Sequence, residues 1–287
     1  MLPTRPSLAV SAILATLALS ACGSSSSSST AAGASPTAST CAKSSLSLHT
    51  PGQITIATDA PAYPPYFIDN KPANGKGFES ALAYAIAARL GFAASEVKWT
   101  VEPFDSSYAP GPKSFDFDIN EISITPARSQ EVDFSTPYYT DPQGIIVHAG
   151  SPYAHASSLA ELKGAKIGVQ IGTTSLEAVE QLIRPSSQPQ VFNDSNDVVS
   201  AFKNHSVDAI VVDLATAFEL ASEEISNGKI VGQFSAPGGN DWGLLLAKGS
   251  SLTPCVDQAI DALRTNGTLK QLTTRWMTST VDVPELG

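Results

Sequence analysis

The hydrophobic pattern of this chain switches repeatedly between a period of two and a period of about 3.6, and after Tyr138 the whole pattern starts again. In the first run Gln53-Ile-Thr-Ile-Ala-Thr-Asp59 alternates as a strand. Phe78, Leu82, Ala85, Ile86 and Leu90 recur on one face of a helix that Gly91 stops. Val97, Trp99 and Val101 alternate again, with Phe104 just beyond. Tyr63-Pro-Pro-Tyr66-Phe67 is a rigid aromatic loop, and Pro110-Gly-Pro112 forbids a long helix before the next strand. Phe115, Phe117 and Ile119 alternate and Ile122 and Ile124 follow, which predicts a buried strand running into a turn. The second run opens on Gly144-Ile-Ile-Val147, followed by a short helix at 159–162 and a strand at 166–171. A helix then starts at Gly172-Thr-Thr-Ser175 and ends at Pro185. Residues 198–203 read as helix, 208–212 as a buried strand and 213–220 as helix. Two further strands, 230–234 and 242–246, precede closing helices at 255–263 and 269–276. Strands alternating with helices over two successive blocks imply two α/β lobes.

The 287 residues suffice for two such lobes, and an apolar content of 42% with 15% charged residues fits a globular chain. The net charge of −10 argues against a nucleic-acid partner. Residues 1–21 read as a leader, with Arg5 as the positive end, an apolar stretch from Leu8 to Leu19, and the closing Leu19-Ser-Ala-Cys22. That end resembles the lipobox of bacterial lipoproteins, in which the matching cysteine, Cys22, becomes the lipidated first residue. Beyond the leader no apolar run approaches the length of a membrane span, so the remainder is expected to be soluble and extracytoplasmic. Gly23 to Thr40 is almost entirely Ser, Ala, Thr and Gly, a disordered tether with an r.m.s. reach of roughly 23 Å. Cys41 and Cys255 are left over, and outside the cytoplasm they make either one disulfide or two free thiols.

Three polar groups fall where strands meet helices, the place where open α/β sheets bind ligands. The first is Ser123-Ile-Thr-Pro-Ala-Arg128: Thr125 suits an N-cap and Pro126 the first helical position, which puts Arg128 where the helix dipole disfavours a cation unless an anion joins it. With the Ser123 hydroxyl, that guanidinium makes a carboxylate receptor; alternatively Arg128 pairs with Glu131 or lies in solvent. The second is Gly172 to Ser175, where Thr174-Ser-Leu-Glu177 also fits a plain capping box. The third is Asp213, either a ligand carboxylate or an N-cap. Together they supply donors for a carboxylate and an acceptor for an ammonium, the two ends of a zwitterion.

The body from about residue 51 to 280 resembles the polar amino-acid solute-binding proteins of bacterial ABC transporters (extracellular solute-binding protein family 3). The matching residues are Gly77-Phe-Glu79, Asp116 with Ser123-Ile-Thr-Pro-Ala-Arg128, Val132-Asp-Phe-Ser-Thr-Pro-Tyr138, Ile167-Gly-Val-Gln-Ile-Gly-Thr-Thr174, Asp208-Ala-Ile-Val-Val-Asp213 and Asn266-Gly-Thr268. The resemblance implies an α/β, two-lobed, type II periplasmic-binding-protein fold with the ligand in the interlobe cleft. Lobe I would comprise 51–143 plus 247–287 and lobe II 144–246, with a Cys41–Cys255 bridge inside lobe I. Arg128 and Ser123 would hold the ligand α-carboxylate with help from Thr174, Asp213 would take the α-ammonium, and Tyr63 and Phe104 would flank the side chain. The implied partners are a free amino acid, ABC permease subunits and, through the lipid anchor, the outer face of the cytoplasmic membrane. The implied state is a monomer without cofactor, metal or catalytic residue.

Glu121 departs from the family pattern, which usually has a small or neutral residue there. Two residues before Ser123 on a strand, it would face the cleft and point to a cationic or strongly polar ligand side chain; a buried salt bridge is the alternative. Asp59 and Glu79 would add negative charge. Two rival functions remain: a dehydratase-like enzyme on the same fold, with Glu121 as its acid, and a sensing module for a separate receptor. His49, His148, His155 and His205 stand in no metal-ligand spacing, and no nucleophile elbow or phosphate loop occurs.

Overall fold

The computed structural model describes residues 41–277 and 283–287; the expected leader, Cys22 and tether lie outside the described residues. The strands in chain order are β1 (Ile54–Thr58), β2 (Val97–Val101), β3 (Phe117–Asp118), β4 (Val132–Phe134), β5 (Tyr139–Thr140) and β6 (Gln143–His148). They continue with β7 (Ile167–Gln170), β8 (Gln190–Phe192), β9 (Ala209–Asp213), β10 (Gly228–Phe234), β11 (Asp241–Trp242) and β12 (Leu245–Ala247). They build two five-stranded sheets, ordered β2-β1-β3-β12-β4 and β10-β6-β9-β7-β8, and a two-stranded ribbon of β5 with β11.

Periodicity explains the burial. In the second sheet Ile145, Val147, Ala209 and Val211 enter one core with Ile167 and Val169, while Ile146 and Ile210 face the opposite core with Val198 and Phe202. A strand covered on both faces has no solvent side to mark with polar residues, hence the unbroken apolar runs at 145–147 and 209–212. In the first sheet β1 is buried along its whole length between parallel β2 and β3.

The helix Phe78–Arg89 starts without a polar cap. Its first N–H groups are taken instead by loop carbonyls: Phe78 donates to Pro65 at 2.9 Å, and Glu79 and Ser80 to Tyr66 at 3.1 and 3.3 Å. That docking needs Gly77, whose φ is +101°, because a Cβ there would fall 2.2 Å from the Tyr66 carbonyl oxygen. The aromatic loop therefore fixes the helix entry and turns Glu79 inward, where it is fully buried.

The strand read from Phe115 to Ile124 is only two residues long. The chain leaves the sheet after Asp118, passes through Glu121 at φ +49°, and pairs instead with the returning crossover: Ser123 bridges Trp242, Ile124 N–H donates to Asp241 at 2.8 Å, and Gly243 N–H donates to Ile122 at 3.1 Å. The 242–246 strand is likewise broken into β11 and β12.

The lobe limits also differ from the expected 51–143 plus 247–287 and 144–246. Trp242 is fully buried in the first core, edge-on to Tyr66 at 5.5 Å, and β12 joins the first sheet from Leu245. In the other direction residues 283–287 attach to the second sheet: Gln233 N–H donates to Pro284 at 2.9 Å, Leu286 N–H to Gln233 at 2.8 Å, and Leu286 is buried in the second core. β10 is an edge strand whose free backbone groups accept such a partner.

Cys41 and Cys255 form a disulfide that fastens the N-terminal segment to the helix Thr253–Thr265, within the first core. Asp116 ties the same segment to β1, accepting from His49 N–H at 2.7 Å and Thr55 N–H at 2.6 Å. This carboxylate of the matching motif is therefore structural. Among the described residues no helix is long and apolar enough to cross a membrane.

Candidate functional site

A cleft runs between the two sheets, at the ends of β1, β7 and β9. Asp59, Tyr63, Phe104, Asn120, Glu121 and Ser123 line it from the first lobe, and Gln170, Thr173, Thr174, Ser175, Ser195, Asp213 and Thr216 from the second. Seven of the eight ligand residues read from the sequence meet there. Arg128 stands behind the wall, at an outer hollow it shares with Tyr108, Gly172 and Glu177.

The loop–crossover pairing presents the Ser123 hydroxyl to the cleft, where it shares a hydrogen bond with Thr174 across the lobes at 3.3 Å. Thr125 does the work of a cap, accepting from Arg128 N–H at 3.2 Å, although the helix it opens is the single turn Arg128–Glu131. Arg128 neither pairs with Glu131 nor lies in solvent. It is 6% exposed, donates to the Ser123 carbonyl at 2.8 Å and the Gly172 carbonyl at 2.9 Å, and lies against Tyr108, its Cζ 4.7 Å from the ring centroid. Tyr108 OH also donates to Gly172, at 3.0 Å. Gly172 has φ +74°, and a Cβ would sit 2.2 Å from the Tyr108 hydroxyl, so only glycine allows the second lobe to come this close.

In the second lobe two neighbours have taken over the structural work. The capping that Thr174 could have served falls to Thr173, an N-cap whose hydroxyl accepts from Leu176 N–H at 3.1 Å and donates to the Gln170 carbonyl at 2.8 Å, with no reciprocal box because Leu176 stands at N3. Thr174 begins the helix Thr174–Ala178 with its hydroxyl toward the first lobe. Asp213 precedes the helix Leu214–Glu219 but makes no side-chain cap. Asp141, arriving from the crossover, caps it by accepting from Ala215 N–H at 3.0 Å. The Asp213 carboxylate is held instead by Gln143, which donates to it at 2.6 Å and in turn accepts from Ser175 OH. Gln143 was missed by sequence reasoning; its one signal is a polar residue opening an apolar strand.

Glu121 reaches the cleft by its left-handed backbone and not as a strand residue. Its N–H donates to Glu79 Oε1 at 2.8 Å, and that oxygen also accepts from Tyr138 OH. Asp59 accepts from Ala60 N–H at 2.6 Å and meets Gln170 of the other lobe. Tyr63 OH donates to Asn196 of the second lobe, and Tyr66 OH bonds Thr216 at 3.0 Å. Phe104 forms cleft wall, Arg128 Cζ lying 5.4 Å from its centroid. Among the described residues no group of three or more His, Cys, Asp or Glu could hold a metal ion.

The site is electrostatically lopsided. Burial raises the pKa of Asp59 and Glu79 above their ordinary values and pushes Asp118, Glu121 and Asp141 well above theirs, mutual repulsion adding to several of them. Asp213 is pushed up to about 7 by burial, against the pull of its Gln143 bond and of Arg128. Burial lowers Arg128, which stays charged. Carboxyls that hold protons more tightly when folded stabilise the fold at low pH, and the gain is lost as pH rises through the folded pKa, about 7 for Asp213. The ligand-free protein is therefore expected to be more stable at pH 5.5 than at pH 8, by roughly 2–4 °C in Tm per kcal/mol gained. Asp213→Asn should shrink the difference; denaturant midpoints at the two pH values check both statements.

Residues 54–279 match the family model of bacterial extracellular solute-binding proteins, family 3. The L-cystine-binding protein TcyJ of Escherichia coli (strain K12) is 29% identical over 220 residues, covering 75% of this chain and 79% of that protein. An ancestral arginine-binding protein bound to arginine superposes with a TM-score of 0.68 at 32% identity, covering 78% of this chain and 98% of that one. The ancestral amino acid-binding protein AncCDT-1, a precursor of cyclohexadienyl dehydratase, superposes at 0.67 with 27% identity, covering 79% of this chain and 95% of that one.

Proposed function

Because the chain belongs to the bacterial extracellular solute-binding proteins of family 3, we propose that it captures a free amino acid between its two lobes and delivers it to an ABC permease. The observation that carries this reading is the double release of Thr174 and Asp213 from capping: each faces the cleft because a neighbour, Thr173 or Asp141, serves the helix. The α-carboxylate is received by the Ser123 and Thr174 hydroxyls and the first N–H groups of the helix Thr174–Ala178, with Arg128 behind them supplying the positive charge. Asp213, oriented by Gln143, takes the α-ammonium. The side chain passes between Tyr63 and Phe104 toward Glu121, which favours a cationic or strongly polar one.

Capture follows from the crossovers. The paired strands β5 and β11 join the lobes, and rotation about them makes and breaks the Ser123–Thr174, Tyr66–Thr216 and Arg128–Gly172 contacts together. Ligand bridging both lobes favours the closed arrangement, the form a permease recognises. Residues 1–21 direct export, and lipid on Cys22 holds the monomeric body at the outer face of the cytoplasmic membrane.

A thermal-shift panel of the common amino acids tests this. At a hundred times Kd a bound ligand stabilises by about 2.7 kcal/mol, a rise of several degrees. A panel with no stabilising α-amino acid sinks the reading. The AncCDT-1 likeness and the acid in the cleft raise a second reading, an enzyme. The zwitterion clamp favours binding without turnover, and product formation from cyclohexadienyl acids on incubation would reverse that preference.

A further inference from the structure

The cleft contains a carboxyl pair that the clamp does not use. Glu79 is fully buried on the helix Phe78–Arg89; one oxygen accepts from Glu121 N–H and Tyr138 OH, and the other is enclosed without a donor. Glu121, whose N–H donates to that first oxygen at 2.8 Å, lines the cleft with its own carboxyl, and the two carboxyls bear on one another. With no donor for the enclosed oxygen, a second proton-free carboxylate beside it would be uncompensated, so the pair is satisfied by keeping one proton. The surroundings offer no positive charge in exchange. Glu121 is faced by Glu79, by Asp59 at the end of β1, by Asp213 of the second lobe, and by the phenols of Tyr66 and Tyr138; Asp118 of β3 bears on Glu79 in turn. Arg128 is occupied at the carbonyls of Ser123 and Gly172 and acts on Asp213.

We propose that Glu79 and Glu121 share one proton in the ligand-free protein, and that a cationic ligand side chain displaces it, so that the site exchanges a proton for a cation. This rests on the reading of the cleft as an amino-acid site and adds its side-chain chemistry. In the exchange the guanidinium or ammonium of the ligand takes the place of the acidic hydrogen against Glu121, both carboxyls become carboxylates, and the released proton goes to the buffer. The net charge at the pair is unchanged, which is what a buried acidic wall requires. A neutral side chain offers nothing to replace the proton and leaves it in place.

Calorimetry at pH 7 in two buffers of different ionisation enthalpy counts the protons released. L-glutamine carries the same ammonium and carboxylate as L-arginine, so any proton lost by Asp213 is common to both ligands. Arginine is expected to release about one proton more than glutamine, and its Kd to tighten as pH rises, by up to about tenfold per pH unit, until the pH where release ends. Glu121→Gln should abolish the difference. Tyr138→Phe removes the hydroxyl that stabilises the Glu79 carboxylate and should move the pH dependence to higher pH. In the unliganded protein at pH 7, the wild-type minus Glu121→Gln infrared difference spectrum should show the signal of one protonated carboxyl, the contributions of Asp118, Asp141 and Asp213 cancelling between the two.

Arginine binding with heats independent of buffer, or a cleft that takes glutamine and rejects arginine, overturns the exchange and leaves the amino-acid reading intact. An infrared carboxyl signal with no amino acid bound at all overturns the amino-acid reading and the exchange with it. Absence of that signal overturns the shared proton directly.

Discussion

Arg128→Ala is expected to weaken amino-acid binding by about 2–5 kcal/mol, or from about thirtyfold to several thousandfold in Kd. Two losses add. In the proposed site the ligand carboxylate loses the positive charge behind its hydroxyl donors, and it is desolvated by the closing lobes whether or not that charge is present. The carbonyls of Ser123 and Gly172, one from each lobe, also lose the donor that joins them, so the closed arrangement itself is weakened. Arg128→Lys should fall between wild type and alanine, because an ammonium keeps the charge but lacks the planar fork that reaches two carbonyls at once. Isothermal calorimetry on variants whose circular dichroism matches wild type measures the effect. A Kd within about a factor of three of wild type for the alanine variant would show that the carboxylate is held elsewhere.

Removing the disulfide should produce the other large effect, on stability and not on binding. Cys41 and Cys255 are 214 residues apart, and closing a loop of that size in the unfolded chain is worth about 5 kcal/mol in the chain-entropy model. The double substitution Cys41→Ser, Cys255→Ser is therefore expected to lower Tm by roughly 10–20 °C. Both cysteines sit with the first core, and neither lines the cleft, so Kd at a temperature where the variant is folded should be unchanged. Denaturant unfolding of wild type with and without reductant gives an independent measure. A loss under about 1 kcal/mol would mean that the reduced, unfolded chain is already held compact by other contacts.

The parts of this structure that the sequence expressed well are those governed by burial alone. The apolar runs at 145–147 and 209–212 could only be covered strands, and the alternation at 54–58 only a strand, whatever surrounds them. The segment from Phe115 to Ile124 deceived because its apolar spacing continues while its backbone does not. Glu121 turns left-handed, held by a carboxylate 42 residues away on another helix, and no local pattern carries that information. At Thr174 and Asp213 the sequence leaves capping open beside a ligand role, and does not show which residue serves each helix. At Thr173-Thr174 two identical side chains compete, and the extended backbone of Thr173 decides between them. At Asp213 the rival, Asp141, is distant in sequence. Arg128 was recognised as a cation needing a partner, but its neighbours are two main-chain oxygens, one of them in the other lobe, where side-chain reasoning does not look. The attachment of residues 283–287 to β10 depends on an edge that exists only after the sheet is assembled.

The handover of capping to Thr173 and Asp141 bears on how such a protein changes its ligand over evolutionary time. Where one side chain both ends a helix and touches a ligand, each trial substitution risks the fold, and selection for stability freezes specificity. Here Thr174 and Asp213 owe their helices nothing, so they are free to vary while the scaffold stays intact. The walls of the cleft can be rewritten one residue at a time, and a lineage built this way is able to exchange one nutrient for another without passing through an unfolded ancestor.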